Sequence, residues 1–235
     1  MAYVLGPDLN HPAPSLKRLD HVICQVPDIE RYHRHWIDVL GFPEAWPVGR
    51  FWPDGRTSGI VLGGINLELI EPDGGALDEP LCDCLVFEPT SIDRAEAAFQ
   101  EKGIEFERTE KWEADPALLA LRGFQGPELQ REQLICRNIH PRSSFPVSFF
   151  LCQYSERLRG LLAPSPLLGP YGRVIALEIQ LPERGNIWRL GDFGYIGDIE
   201  FFQDEVLFGP PKVTGIKFEA GIPDSDGLPL GLSFI

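Results

Sequence analysis

A helical signature that occurs twice, at almost constant spacing, restricts this chain more than any other feature. Ile29, Tyr32 and Trp36 fall on one stripe of a helix that opens at Asp28, just after Pro27. Ile92, Ala95 and Phe99 repeat the stripe 63 residues later, and Gly103 repeats Gly41 at an offset of 62. Asp28 is a sound N-cap, because its carboxylate accepts the free backbone N–H groups of the first turn. Each glycine supplies the left-handed turn on which helices commonly end. A strand-like run stopped by proline precedes each helix, at 19–26 and 82–88. Three more runs follow each helix, at 44–52, 57–63 and 65–71, then at 104–112, 129–139 and 146–154. The segment 113–128 lengthens one loop of the second set and is rich enough in Ala and Leu for a helical turn. Two βαβββ units in tandem, 19–72 and 81–154 within 19–160, are the simplest account, and they predict an α+β fold.

The flanks are less regular. Residues 1–18 carry three prolines and read as an extended arm. Residues 161–171 read as a linker, and 174–182 as another proline-stopped strand. The helix that should come next shrinks to a turn at 187–190, followed by strand-like runs at 195–208, 213–220 and 230–235. We read 171–235 as a degenerate third module that extends or covers the sheet. An open sheet edge invites association, so a homodimer is the other expected way of covering it.

Charge narrows the partners. Thirty-five acidic against 21 basic residues leave a net charge of −14 over 235 residues, a field that repels phosphate backbones and anionic lipid. The expected partner is a small molecule, with neither nucleic acid nor membrane. No apolar run reaches the 18 residues a bilayer demands. The N-terminus lacks the charged start and apolar stretch of a signal peptide. The five cysteines, at 24, 82, 84, 136 and 152, are odd in number and lack zinc-site spacing, so they read as reduced thiols of a cytoplasmic protein.

The stretches LDHVICQVPDIERYHRHWIDVLGF, DGRTSGIVLGGINLELIEP and FPVSFFLCQY together resemble the vicinal-oxygen-chelate superfamily of glyoxalases, extradiol dioxygenases and bleomycin-resistance proteins, and within it a glyoxalase-like branch. The resemblance implies a cupped, partly open eight-stranded mixed sheet whose concave face holds a divalent metal ion. It implies ligands from the first and last strands of each unit, which here are His21 and Glu68. In the second unit those positions fall on Asp83 or Cys84, and on Cys152 or Gln153, a departure from a plain His/Glu pair. His140, in NIHPR, is the candidate further ligand.

Other residue types suit the rest of a site. Glu68, between Leu67 and Leu69, is costly as a buried anion unless paired or metal-bound, and it is the candidate catalytic base. Arg137 beside His140 suits a carboxylate or phosphate by bidentate contact. Gln153 is a candidate oxygen contact for metal or substrate. Trp46, Phe51 and Trp52 are read first as packing, with Trp52 the candidate aromatic contact for substrate. His33 and His35, two apart on a helix, read as surface residues. Two functions follow. One is a metal-dependent enzyme acting on a small oxygen-rich metabolite, with isomerase or lyase chemistry ahead of ring-cleaving dioxygenation. The other is a metal-free protein that binds or sequesters a small molecule in the same cup.

Overall fold

The computed structural model describes residues 3–6, 8, 10, 14–52, 55–74, 77–142, 147–162, 169–181, 191–203, 210–220 and 232–234. Within that set the side chains of 3–5, Trp52, 160–162 and 233–234 are not described. The expected turn at 187–190 lies outside the described residues.

The elements follow the repeat. A short strand β1 (Tyr3–Leu5) lies inside the expected arm, and β2 begins within it and runs Leu16–Gln25. Asp28 caps α1 (Ile29–Arg34) by accepting from the Arg31 N–H, and the helix continues as a π-helical turn over His35–Val39. Then come β3 (Glu44–Trp52), β4 (Gly55–Val61) and β5 (Asn66–Pro72). The second unit gives β6 (Leu81–Pro89), α2 (Ile92–Glu101, capped by Ser91) and β7 (Phe106–Glu113). Its long loop forms α3 (Pro116–Leu121) and a 3-10 turn at Gly126–Gln130, so β8 (Gln133–Pro141) starts four residues later than expected. After β9 (Ser148–Tyr154), α4 (Glu156–Leu162) runs into the expected linker. The chain ends with β10 (Val174–Gln180), β11 (Glu200–Gln203), β12 (Lys212–Phe218) and β13 (Ser233–Phe234).

Eight strands form one curled, open, mixed sheet in the order β3-β4-β5-β2-β6-β9-β8-β7. Read inward from either edge, the order within each half is the same. At the centre β2 and β6 are antiparallel, with His21 opposite Val86 and Ile23 opposite Cys84. These pairs exchange under an offset of 63, so a local twofold passes between the two strands. The sheet curls until its edges meet at one point, where Lys111 of β7 donates from Nζ to the Phe51 carbonyl of β3. A second sheet has the order β1-β11-β10-β12-β13.

Strand alternation divides the faces. Leu19, Val22, Leu67, Leu69, Phe87, Phe149 and Leu151 point outward, onto α1, α2 and the small sheet. Ile29 and Trp36 of α1, Ile92 and Phe99 of α2, and Leu177, Phe201 and Ile216 of the small sheet join them in one buried cluster. Phe87 meets Tyr195 and Phe201 at 5.8 and 5.9 Å between ring centroids, and Phe42 meets Phe218 at 5.7 Å. Each such ring contributes roughly 1.5–3 kcal/mol through burial, so the small sheet shares the core of the large one. Backbone contact adds to this. Gly63, at φ +92°, lies so close to the Gly172 carbonyl that a Cβ there would sit 2.2 Å from it. The Val174 N–H donates to the Gly63 carbonyl at 2.9 Å.

Two expectations need correction. Cys24 and Cys82, on neighbouring strands β2 and β6, form a disulfide in this core, so only Cys84, Cys136 and Cys152 are free thiols. His33 is buried rather than superficial, because α1 turns it toward β3, where its Nε2 lies 2.9 Å from the Glu44 carboxylate. No helix among the described residues is long and apolar enough to cross a membrane.

Candidate active site

A β-bulge in β2 positions the central histidine. Pairing moves from Leu19–Phe87 to His21–Val86, so three residues of β2 face two of β6. The displaced residue, Asp20, is fully buried, and its carboxylate lies 2.8 Å from His21 Nδ1. Arg18 donates to Oδ1 at 2.9 Å, and the Tyr154 hydroxyl donates at 3.1 Å to Oδ2, the oxygen that faces His21. Anchored at Nδ1, the imidazole presents Nε2 to β5, where it meets Glu68 at 3.3 Å. Both side chains are about 6% exposed.

The electrostatics follow from that packing. Burial by itself lowers the pKa of His21. Hydrogen bonds from the ring to the Asp20 and Glu68 carboxylates, together with their charges, outweigh it and hold the ring up at about 9. Burial, then the negative charge of Asp20, pushes the Tyr154 phenol well above its ordinary range, so it stays protonated and donates.

This group forms one wall of a cavity of about 870 Å³ enclosed by the concave face. Trp46, Phe51, Phe150 and Ile135 supply apolar wall, and Trp112 stands nearly half exposed at its edge. The Trp46 ring lies flat on Gly59, where an added Cβ would come within 2.2 Å of it, and its indole N–H donates to Thr57 at 3.3 Å. Cys136 and Cys152 also face inward. The Cys136 thiol is pulled below its ordinary value by its hydrogen bond with Cys152, against burial, with help from Lys111 and Arg122.

The structure brings some of the expected residues together and separates others. His21 and Glu68 share the cavity wall as expected. His140 lines the same cavity, stacked on Phe150 at 4.9 Å and 3.3 Å from the Thr109 hydroxyl. Its strand, β8, is separated from β2 by β6 and β9. Burial, partly opposed by Glu107, lowers its pKa. Among the described residues no three His, Cys, Asp or Glu side chains converge as a ligand set. Arg137 and Gln153, opposite each other in register, do not line the cavity, and Arg137 is instead paired with Glu110 at 2.8 Å. The Trp52 side chain lies outside the described residues. Trp46 and Phe51, read from sequence as packing, are cavity wall.

Register also fixes the counterparts of His21 and Glu68. The local twofold carries His21 onto Cys84. Glu68 sits opposite Ile23 in β2, and its counterpart, opposite Val86 in β6, is Phe150. The second half therefore offers Cys84 and Phe150 at those places, not Asp83 and not Cys152 or Gln153. Four residues of the site escaped the sequence reading: Asp20, Tyr154, Lys111 and Arg122. Asp20 had a signal, as the acid directly before a candidate ligand on the same strand.

No family model matches the chain, and no curated protein matches it. Solved structures do. A hypothetical protein from Staphylococcus aureus is 10% identical over 92% of this chain and 97% of its own, with a TM-score of 0.63. A variant of homoprotocatechuate 2,3-dioxygenase from B. fuscum is 17% identical over 90% of this chain and 59% of its own, with a TM-score of 0.51. A mutant of that enzyme from Brevibacterium fuscum is 18% identical over 91% and 60%, with a TM-score of 0.50. The chain spans about three fifths of the dioxygenase chains it matches. At these identities the likeness shows the fold, a curled open sheet shared with extradiol dioxygenases.

Proposed function

We propose that the chain is a metal-dependent enzyme of the vicinal-oxygen-chelate kind, acting on a small oxygen-rich molecule held in the cupped sheet. One observation carries the reading: His21 Nε2 and Glu68 Oε2 lie 3.3 Å apart in the cavity wall, with a buried carboxylate behind the ring. A carboxylate on the far nitrogen is the usual support of a metal-ligating histidine, because it fixes tautomer and orientation. One imidazole and one carboxylate fit a weakly held divalent ion whose shell is completed by substrate oxygens. When bound, such an ion polarises those oxygens as a Lewis acid. The chain's own residues do the rest. Asp20 and Tyr154 keep His21 aimed, the apolar wall excludes water, and Glu68 is placed to take a proton from a carbon beside the polarised oxygens. Isomerase or lyase chemistry asks for one such carboxylate. Ring cleavage asks for a second histidine, and the counterpart of His21 is Cys84.

Metal binding by protein purified without an affinity tag tests this. Under titration wild type binds close to one divalent ion per chain, His21→Ala binds none with its fold intact, and Glu68→Gln binds it more weakly. A wild-type protein that binds no divalent ion under titration, with its fold intact, sinks the reading. That outcome favours a metal-free binding protein, for which the specific observation is Phe150: an apolar ring occupies the place corresponding to Glu68.

A further inference from the structure

The cavity that holds His21 and Glu68 also has a basic corner. Lys111 comes from β7 and Arg122 from the C-terminal end of α3, and both line the cavity. Lys111 reaches across the sheet opening to the Phe51 carbonyl. The Arg122 guanidinium stacks over the Phe51 ring at 5.6 Å to its centroid. Its Nε is buried without a hydrogen-bond partner, and among the described residues Arg122 makes no ion pair. Several other arginines of this acidic chain sit in ion pairs, Arg56 with Glu71, Arg137 with Glu110 and Arg108 with Glu96.

Two cations at one apolar wall are costly, because burial strips their water and each raises the energy of the other. Their pKa values record that cost. Lys111 is lowered to about 8 by burial first and then by Arg122, and Arg122 is lowered by burial. The nearby acids Glu68 and Glu113 offset only part of it, and Glu110, also on the cavity wall, is already held by Arg137. An anion in the cavity removes the penalty. With its net charge of −14 the protein does not attract anions in general, so the attraction is confined to this corner.

We propose that Lys111 and Arg122 form a carboxylate subsite, and that the cavity takes a flat, largely apolar organic acid. Its anionic group lies at the basic corner, its body lies between Trp46, Phe51 and Phe150, and its far end reaches His21 and Glu68. That last contact rests on the function proposed above, whereas the subsite itself needs no metal. The planar guanidinium gives a carboxylate two parallel hydrogen bonds, and the neighbouring ammonium adds a second charge.

The test uses the full chain after chelator treatment, with tryptophan fluorescence and calorimetry as readouts. The probes are benzoate, phenylacetate and 3-phenylpropionate, each against its neutral amide. At least one acid binds about 10-fold or more tightly than its amide at pH 7, the scale of one charge-assisted hydrogen bond. Arg122→Gln removes that preference by weakening the acid at least about 10-fold more than the amide, and Arg122→Lys restores part of it. Equal binding of acid and amide in all three pairs overturns the proposal, as does failure of all three acids to bind. Arg122→Gln weakening both members of a pair equally also overturns it, because that pattern belongs to packing. Metal binding is measured separately. Acid preference without divalent-ion binding under titration refutes only the metal-dependent reading, and ion binding without acid preference refutes only the subsite.

Discussion

The residues of this site differ in how visible they are along the chain. His21 and Glu68 stand out because each interrupts an apolar strand, where an unpartnered ionisable group is expensive. Lys111 stands in a polar run, TEKW, and Arg122 at the end of an Ala/Leu-rich loop segment, LRGF, so neither interrupts an apolar strand. They become informative only when the curl of the sheet brings them to an apolar wall. Lys111 also gives the site a pH dependence whose sign is fixed. Its folded pKa of about 8 lies below the ordinary 10.5, so folding disfavours its charged form. Between those values the unfolded chain holds more protons, and this group makes stability rise with pH. Binding of an organic acid moves the other way, falling as pH rises through about 8 while Lys111 loses its charge. Calorimetry of wild type against Lys111→Met checks this: the decline appears in wild type and is absent in the variant. Arg122, Glu68, Glu113 and Cys136 share the field at Lys111. Arg122 keeps its charge throughout, so the decline is partial.

The elements carry the duplication, and they also carry its loss. Both helices keep the same stripe, N-cap and glycine stop, because each must cover the convex face of its own four strands. The concave face has no such requirement, and there the halves diverge to His21 and Glu68 on one side and Cys84 and Phe150 on the other. Strand β4 shows how one element shapes the cavity. Gly59 is the place where the Trp46 ring lies directly on the backbone, and the smallest side chain there displaces it. Gly59→Ala is expected to cost about 1–3 kcal/mol as an overpacking change. Urea unfolding measures that loss, and altered tryptophan emission reports the moved ring. Unchanged stability and emission together contradict this account of the wall.

For the molecule as a whole, the small sheet is part of the large sheet's core. Leu177, Phe201, Ile216 and Phe218 bury against residues of both βαβββ units, and Phe42 and Phe87 are sandwiched between the layers. We therefore expect a fragment of residues 1–160 to expose a continuous apolar face, and to aggregate or unfold well below the full chain. Size-exclusion chromatography and thermal unfolding of that fragment decide the matter. A soluble monomer as stable as the full chain shows that the tail is dispensable.

The sequence by itself determined the repeat, the helix caps, the strands that carry His21 and Glu68, and the α+β class. All of these depend on local periodicity, on turn chemistry, or on the rarity of charge in an apolar run. Tertiary structure decided what depends on register and curl. The bulge at Asp20 sets which nitrogen of His21 faces Glu68. Strand order places His140 on β8, with β6 and β9 between it and the strand of His21. Pairing across β2 and β6 joins Cys24 to Cys82, where counting cysteines had predicted free thiols. Residues such as Arg122 and Phe51, 71 positions apart in the chain, meet because an eight-stranded sheet curls its edges together. That contact comes from the summed twist of many strands, and no single stretch of sequence records it.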